Sequence, residues 1–288
     1  MQRGAGLLLL IILAVFMAAC ASSNRNYSAL YDPDSDWQIV FRDEFSGTGE
    51  PDPEKWISQE YNRRIDTKGP DGWWLKENVR LDGWGHLEIR VNEIENRNPE
   101  EDSDPYDYAS GMVSTEGKFE PVFGRFEARM KLPDDPGWWV AFWLFADSVE
   151  NEDGSGVDGT EIDIVEGFGW TDELNFALHW DGYHEAHQSV FERRNFPRIR
   201  RGWHIFALEW TETEYVWFVD NVEVWRSSAG GVSRAPQWIK FSGEVSEAPG
   251  VANKWWSNMP DRKRFPDKFL VDWVRVYQKK PASPEEAS

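Results

Sequence analysis

No stretch of this chain sustains the 3.6-residue apolar period of an amphipathic helix. Short alternating runs separated by turn residues take its place. They include Gly124–Leu132, Trp139–Ala146, Asn175–Trp180, Ile205–Trp210, Glu214–Asp220 and Phe269–Tyr277. Many short strands at close intervals specify a sandwich or barrel rather than βαβ units. No internal repeat or boundary interrupts 36–279, so one all-β domain is predicted there, followed by a loose tail at 280–288.

One strand carries unusual chemistry. Residues 160–167 read Thr-Glu-Ile-Asp-Ile-Val-Glu-Gly, with three carboxylates separated by β-branched residues. Strand side chains alternate faces, so Glu161 and Asp163 share one face while Ile162 and Ile164 enter a core. Regular alternation would put Glu166 on the wrong face, and a β-bulge near Val165 would return it to the acidic side. A solvated strand in an acidic chain could show the same string by chance. Stacked like charges, however, bring self-repulsion with no structural return, and they suit a site that needs one ionised and one protonated carboxyl.

The ends read differently. Residues 1–20 have an early Arg3, an apolar run from Leu7 to Ala19 too short to span a bilayer, and Cys20, the chain's single cysteine. Met17-Ala18-Ala19-Cys20 resembles a bacterial lipoprotein signal box, so export and lipid anchoring through Cys20 are expected, with plain secretion as the alternative. Residues 21–35 read as a flexible tether. A net charge of −20 argues against nucleic-acid binding. Eighteen tryptophans point toward carbohydrate, because aromatic faces pack on the C–H faces of sugar rings.

If the acidic strand pairs as a hairpin with Asn175–Trp180, His179 lies opposite Glu161, with Asn175 and Ala177 on the same face. On the preceding strand, Trp139, Ala141 and Trp143 share a face that should line a groove, and Val140, Phe142 and Leu144 share the other. Trp73 and Trp74, after a Gly-Pro-Asp-Gly stretch, are expected on a loop as sugar platforms. Arg129 is included among the substrate contacts. Five arginines, at positions 193, 194, 198, 200 and 201, form either a solvated loop or an anion contact such as a sulfated sugar.

These motifs resemble glycoside hydrolase family 16, in its bulged E-x-D-x-x-E branch of laminarinases, agarases, porphyranases and carrageenases. Phe41–Phe45 with Pro51–Trp56, Gly124–Arg129, Ala141–Leu144 and Val271–Tyr277 resemble that family's opening, inner and closing strands, in order. The resemblance implies a concanavalin-like jelly roll of two antiparallel sheets with a concave substrate cleft. It implies a retaining endo-β-glycosidase with Glu161 as nucleophile, Glu166 as acid/base and Asp163 between them to tune and position both. The expected substrate is a β-1,3 or β-1,3/1,4-glucan. The alternatives are an agar-, porphyran- or carrageenan-type galactan, or a non-catalytic lectin-like module. The loop between Trp143 and Glu161 lacks the tryptophan-rich segment of many laminarinases. A monomer needing no cofactor for catalysis is expected. A structural calcium could sit at Asp272 with carbonyls near Glu44 and Gly85.

Overall fold

The computed structural model describes residues 36–62, 73–95, 106–134, 138–168, 171–245 and 267–280. The signal-like segment, Cys20, the tether and the tail beyond Lys280 lie outside the described residues. The main body is Ile39–Lys279. Of a second unit, residues 36–38 and 280 are described, and in it the Lys280 N–H donates to the Asp36 carbonyl at 2.6 Å.

Nineteen strands and two short 3₁₀ turns make up the regular structure of the described residues. In chain order the strands are β1 (Trp37–Asp43), β2 (Thr48–Gly49), β3 (Ile57–Ser58), β4 (Tyr61–Asn62), β5 (Trp73–Trp74), β6 (Val79–Asp82) and β7 (Leu87–Glu95). There follow β8 (Tyr106–Ser110), β9 (Met112–Ser114), β10 (Gly124–Lys131), β11 (Trp138–Phe145), β12 (Glu161–Phe168) and β13 (Glu173–Trp180). The last are β14 (Gln188–Asn195), β15 (His204–Trp210), β16 (Tyr215–Val219), β17 (Val222–Ser227), β18 (Trp238–Val245) and β19 (Asp267–Lys279). Each apolar run named from sequence becomes a strand with ends shifted by a residue or two.

The strands form two sheets. One has the order β14-β13-β12-β11-β18-β9-β3. The other follows β17-β16-β15-β10-β19-β7-β8-β5-β4, with β1, β2 and β6 beside that path. This is the two-sheet sandwich expected. The core fills the space between the sheets with Val140, Phe142, Leu144, Ile162, Ile164 and Phe176 from the first, facing Phe126, Phe206, Trp217 and Val274 from the second. Period-two alternation on β11, β12 and β13 therefore leaves the opposite face of the smaller sheet for the site.

The acidic strand is bulged where expected. Trp143 pairs with Asp163 and Phe142 with Val165, so Ile164 is the extra residue. Ile164 and Val165 are both buried in the core, and Glu166 returns to the side of Glu161 and Asp163. The sheets are tied across the core by the Trp217 indole N–H, which donates to the Asp163 carbonyl at 2.9 Å. Gln237 holds the start of the strand through the Thr160 carbonyl at 2.8 Å.

Candidate active site

The exposed face of the smaller sheet is a cleft of about 380 Å³. Five adjacent strands floor it: β14 with Phe191 and Arg193, β13 with Asn175 and His179, β12 with the three acids, β11 with Trp139 and Trp143, and β18 with Ser242 and Glu244. The hairpin register is the one read from sequence, with Glu161 opposite His179 and Asp163 opposite Ala177.

The two glutamates sit in different environments. Glu166 is buried, accepting the Trp139 indole N–H on Oε1 at 2.8 Å and the Asn175 amide on Oε2 at 2.5 Å. Burial, followed by the nearby charge of Asp163, pushes its pKa up to about 8. Glu166 therefore holds a proton at neutral pH. Glu161, equally buried, accepts the Tyr183 hydroxyl on Oε2 at 2.5 Å.

His179 Nε2 lies 3.4 Å from Asp163 Oδ2, and its Nδ1 lies 3.0 Å from His187 Nε2. Burial lowers the pKa of His179, but the bond to Asp163 and the charges of Asp163, Glu161 and Glu166 outweigh it and raise it to about 9. Burial and the His179 charge lower that of His187. A consistent proton assignment follows: cationic His179 donates to Asp163 and to the lone pair of neutral His187.

Several expected contacts take other roles. Trp139 lines the cleft but spends its indole N–H on Glu166. Trp143 lines it too, yet is only 4% exposed, donating to Ser242 with the Lys240 ammonium 4.0 Å from its ring centre. Trp74 is not a platform: it is 1% exposed on β5, donates to the Gly243 carbonyl, and packs with Met112, Ala141 and Trp143. Trp73, on the same strand rather than a loop, is not among the cleft residues. Arg129 is not a substrate contact. It lies on β10 of the other sheet, where alternation with core-facing Ala128 and Met130 turns it outward onto Asp272 and Trp203.

The arginine cluster divides. Arg193 lines the cleft, hydrogen-bonded to Asn175 at 3.1 Å and stacked on Phe191, itself 54% exposed. Arg200 is buried and donates to the carbonyls of Thr171, Pro133 and Phe168. Arg194 pairs with Glu192 at the surface.

The calcium donors expected from the resemblance are the Asp272 carboxylate and main-chain carbonyls near Glu44 and Gly85. The Asp272 carboxylate is held by the Arg129 guanidinium, and the Glu44 carboxylate receives both a 3.0 Å Nε bond and a 3.0 Å Nη bond from Arg275. A protein cation already neutralises Asp272. Donor atoms of Glu161, Asp163 and His179 lie within 4.8 Å of one another, and the raised pKa of His179 sets a proton in competition with any metal there.

Tyr183, His187 and Asn175 were not singled out from sequence as site residues. The hairpin register already placed Asn175 on the site face. Tyr183 and His187 sit in a loop with no periodic pattern, and only their closeness to His179 hinted at them.

Sequence and fold comparisons agree with this geometry. Residues 71–274 match the model of the glycosyl hydrolases family 16. The chain belongs to that family. It is 30% identical over 265 residues to a beta-glucanase of Rhodothermus marinus, covering 84% of this chain and 85% of that protein. It is 26% identical over 272 residues to glucan endo-1,3-beta-glucosidase A1 of Niallia circulans, covering 83% of this chain and 38% of the relative. The X-ray structure of the laminarinase from Rhodothermus marinus superposes with a TM-score of 0.66 at 26% identity, over 85% of this chain and 98% of that one.

Proposed function

We propose that this glycoside hydrolase cleaves internal bonds of a β-1,3 or mixed β-1,3/1,4-glucan with retention of configuration. Glu161 is the nucleophile, Glu166 the acid/base and Asp163 the group that tunes both. The observation that carries this reading is two buried glutamates on one strand face with different partners, Glu166 held protonated beside Asp163 and Glu161 bonded by a phenol. Retaining hydrolysis needs that division of labour. Glu166 protonates the departing glycosidic oxygen while Glu161 attacks the anomeric carbon. Glu166, now ionised, then takes a proton from the water that hydrolyses the glycosyl-enzyme. Cationic His179 pairs with Asp163, and burial together with the charge of Asp163 keeps Glu166 protonated. The printed activities of the Rhodothermus and Niallia relatives support the glucan.

Arg193 favours a second reading, a galactan bearing anionic groups. A guanidinium stacked on an exposed phenylalanine beside the acid/base suits sulfate or carboxylate oxygens. We also propose export, lipidation at Cys20 and action as a monomer at the bacterial cell envelope.

The test is reducing-end release from laminarin, mixed-linkage glucan, agarose, porphyran and carrageenan by the wild type, Glu161→Gln, Glu166→Gln and Arg193→Ala. Activity on the two glucans, lost by more than about 10³-fold in both glutamate variants while both still unfold cooperatively, is the expected result. Cleavage confined to sulfated chains and dependent on Arg193 would instead establish the galactan reading. Binding of the polymers without any reducing-end release would overturn the enzymatic reading in favour of a lectin-like module.

A further inference from the structure

The loop from Asp181 to His187, which joins β13 to β14, is built with more care than a connection needs. Asp181 and Gly182 both have positive φ, 59° and 68°. Asp181, a non-glycine residue in this region, is buried and accepts the Asp153 and Gly154 N–H groups at 3.1 and 2.9 Å. The Gly182 N–H donates to the Val149 carbonyl at 2.7 Å, and a Cβ at Gly182 would meet Glu150 Oε2 at 3.3 Å. Two left-handed residues anchored in this way reverse the chain at the end of β13 and send the next side chain back over the cleft.

That side chain is Tyr183. It is 42% exposed, its ring is tilted 31° against His187, and its hydroxyl reaches Glu161 Oε2 at 2.5 Å. His187, from the same loop, lies coplanar with His179 and within hydrogen-bond reach of it. One loop thus touches both the nucleophile and the histidine that serves Asp163.

We infer that Tyr183 is a catalytic residue whose hydroxyl stabilises the Glu161 carboxylate as it leaves the glycosyl-enzyme, which makes it a determinant of the second step. The inference rests on the proposed role of Glu161 as nucleophile. In the first step the C–O bond to the leaving sugar breaks, the Glu166 proton goes to that oxygen, and Glu161 becomes a neutral ester. In the second, water attacks the anomeric carbon and gives its proton to Glu166, and the ester bond breaks with its electron pair returning to Glu161. Negative charge therefore develops on the Glu161 oxygens in the second transition state. A preorganised donor there is worth most at that moment. A phenol held over the cleft by an anchored turn meets that requirement.

The experiment is pre-steady-state and steady-state hydrolysis of an aryl β-glucan oligosaccharide with a good leaving group, by the wild type and Tyr183→Phe. A half-exposed tyrosine losing one oxygen should leave the thermal midpoint unchanged. The expected variant shows kcat reduced by about 10²-fold, a lower KM, and a burst of aryl alcohol equal to the enzyme concentration, because glycosyl-enzyme accumulates. An equal fall in kcat and kcat/KM without a burst, or wild-type turnover, would overturn the inference. Mass spectrometry of the wild type after a 2-deoxy-2-fluoro glycoside separates the two levels. No adduct on Glu161 would sink the nucleophile assignment itself, while an adduct with an unchanged Tyr183→Phe rate would sink the role of Tyr183 alone.

Discussion

Glu166 concentrates the chemistry of the site in one buried carboxyl. Its pKa of about 8, against an ordinary 4.5, means that the folded chain keeps a proton which the unfolded chain releases. Stability should therefore fall as pH rises from about 4.5 to 8, by up to about 1.4 kcal/mol per pH unit from this group. His179 adds to the same trend. Its raised pKa supplies stability that is present below about 6.5 and is lost as pH climbs through about 9. The thermal midpoint should be highest in mildly acidic buffer. Glu166→Gln should raise it at pH 8 and flatten its slope between pH 5 and 8. A midpoint independent of pH in both proteins would show that Glu166 is not held protonated. The same proton sets activity: the alkaline limb of kcat/KM should lie near pH 8, where Glu166 ionises in the free enzyme.

At the scale of strands and loops, the bulge in β12 and the ties around it decide where the acids stand. Arg200 is the central tie. Its guanidinium spans the carbonyls of Pro133 before β11, Phe168 at the end of β12 and Thr171 before β13. Arg200→Ala should lower stability by about 1–3 kcal/mol or more, since it leaves buried carbonyls without a donor, and chemical denaturation measures this directly. Its loss should not change the preference among polymers, because the side chain does not reach the cleft. The bulge and the pairing of Glu161 with His179 were legible in the sequence. An odd spacing of acids on a strand with β-branched neighbours has few other resolutions, and a short turn fixes hairpin register. Trp74 was not legible. A tryptophan pair after Gly-Pro-Asp-Gly looks like a loop tip, and what buries Trp74 is packing on Met112, Ala141 and Trp143, with its N–H bound to the Gly243 carbonyl 169 residues away in sequence. Arg129 lies on a strand whose alternation was visible, but which sheet carried that strand was not. Tyr183 depends on two positive-φ residues; the Asp181-Gly182 pair signals such a turn, but not that it aims the next side chain at Glu161.

The whole molecule carries a net charge of −20, yet the cleft is not where that charge collects. His179 and Arg193 line it beside Glu161, Asp163 and Glu244, and Glu166 is neutral at pH 7. A neutral glucan entering this cleft meets aromatic walls and a balanced set of charges, while the acidic exterior keeps the protein soluble. The sandwich supplies the rigidity this arrangement requires. Core residues such as Trp217 bond to the backbone of the catalytic strand, so the carboxyls are placed by packing from behind as well as by partners in front. The central claim is that two glutamates on one bulged strand act in a double displacement. Proton NMR of the first products formed from a laminarin oligosaccharide, recorded before mutarotation, tests it most directly. The β-anomer should appear first and the α-anomer only as the sugar equilibrates; an α-anomer present from the first spectrum would contradict the covalent mechanism and the roles given to Glu161 and Glu166.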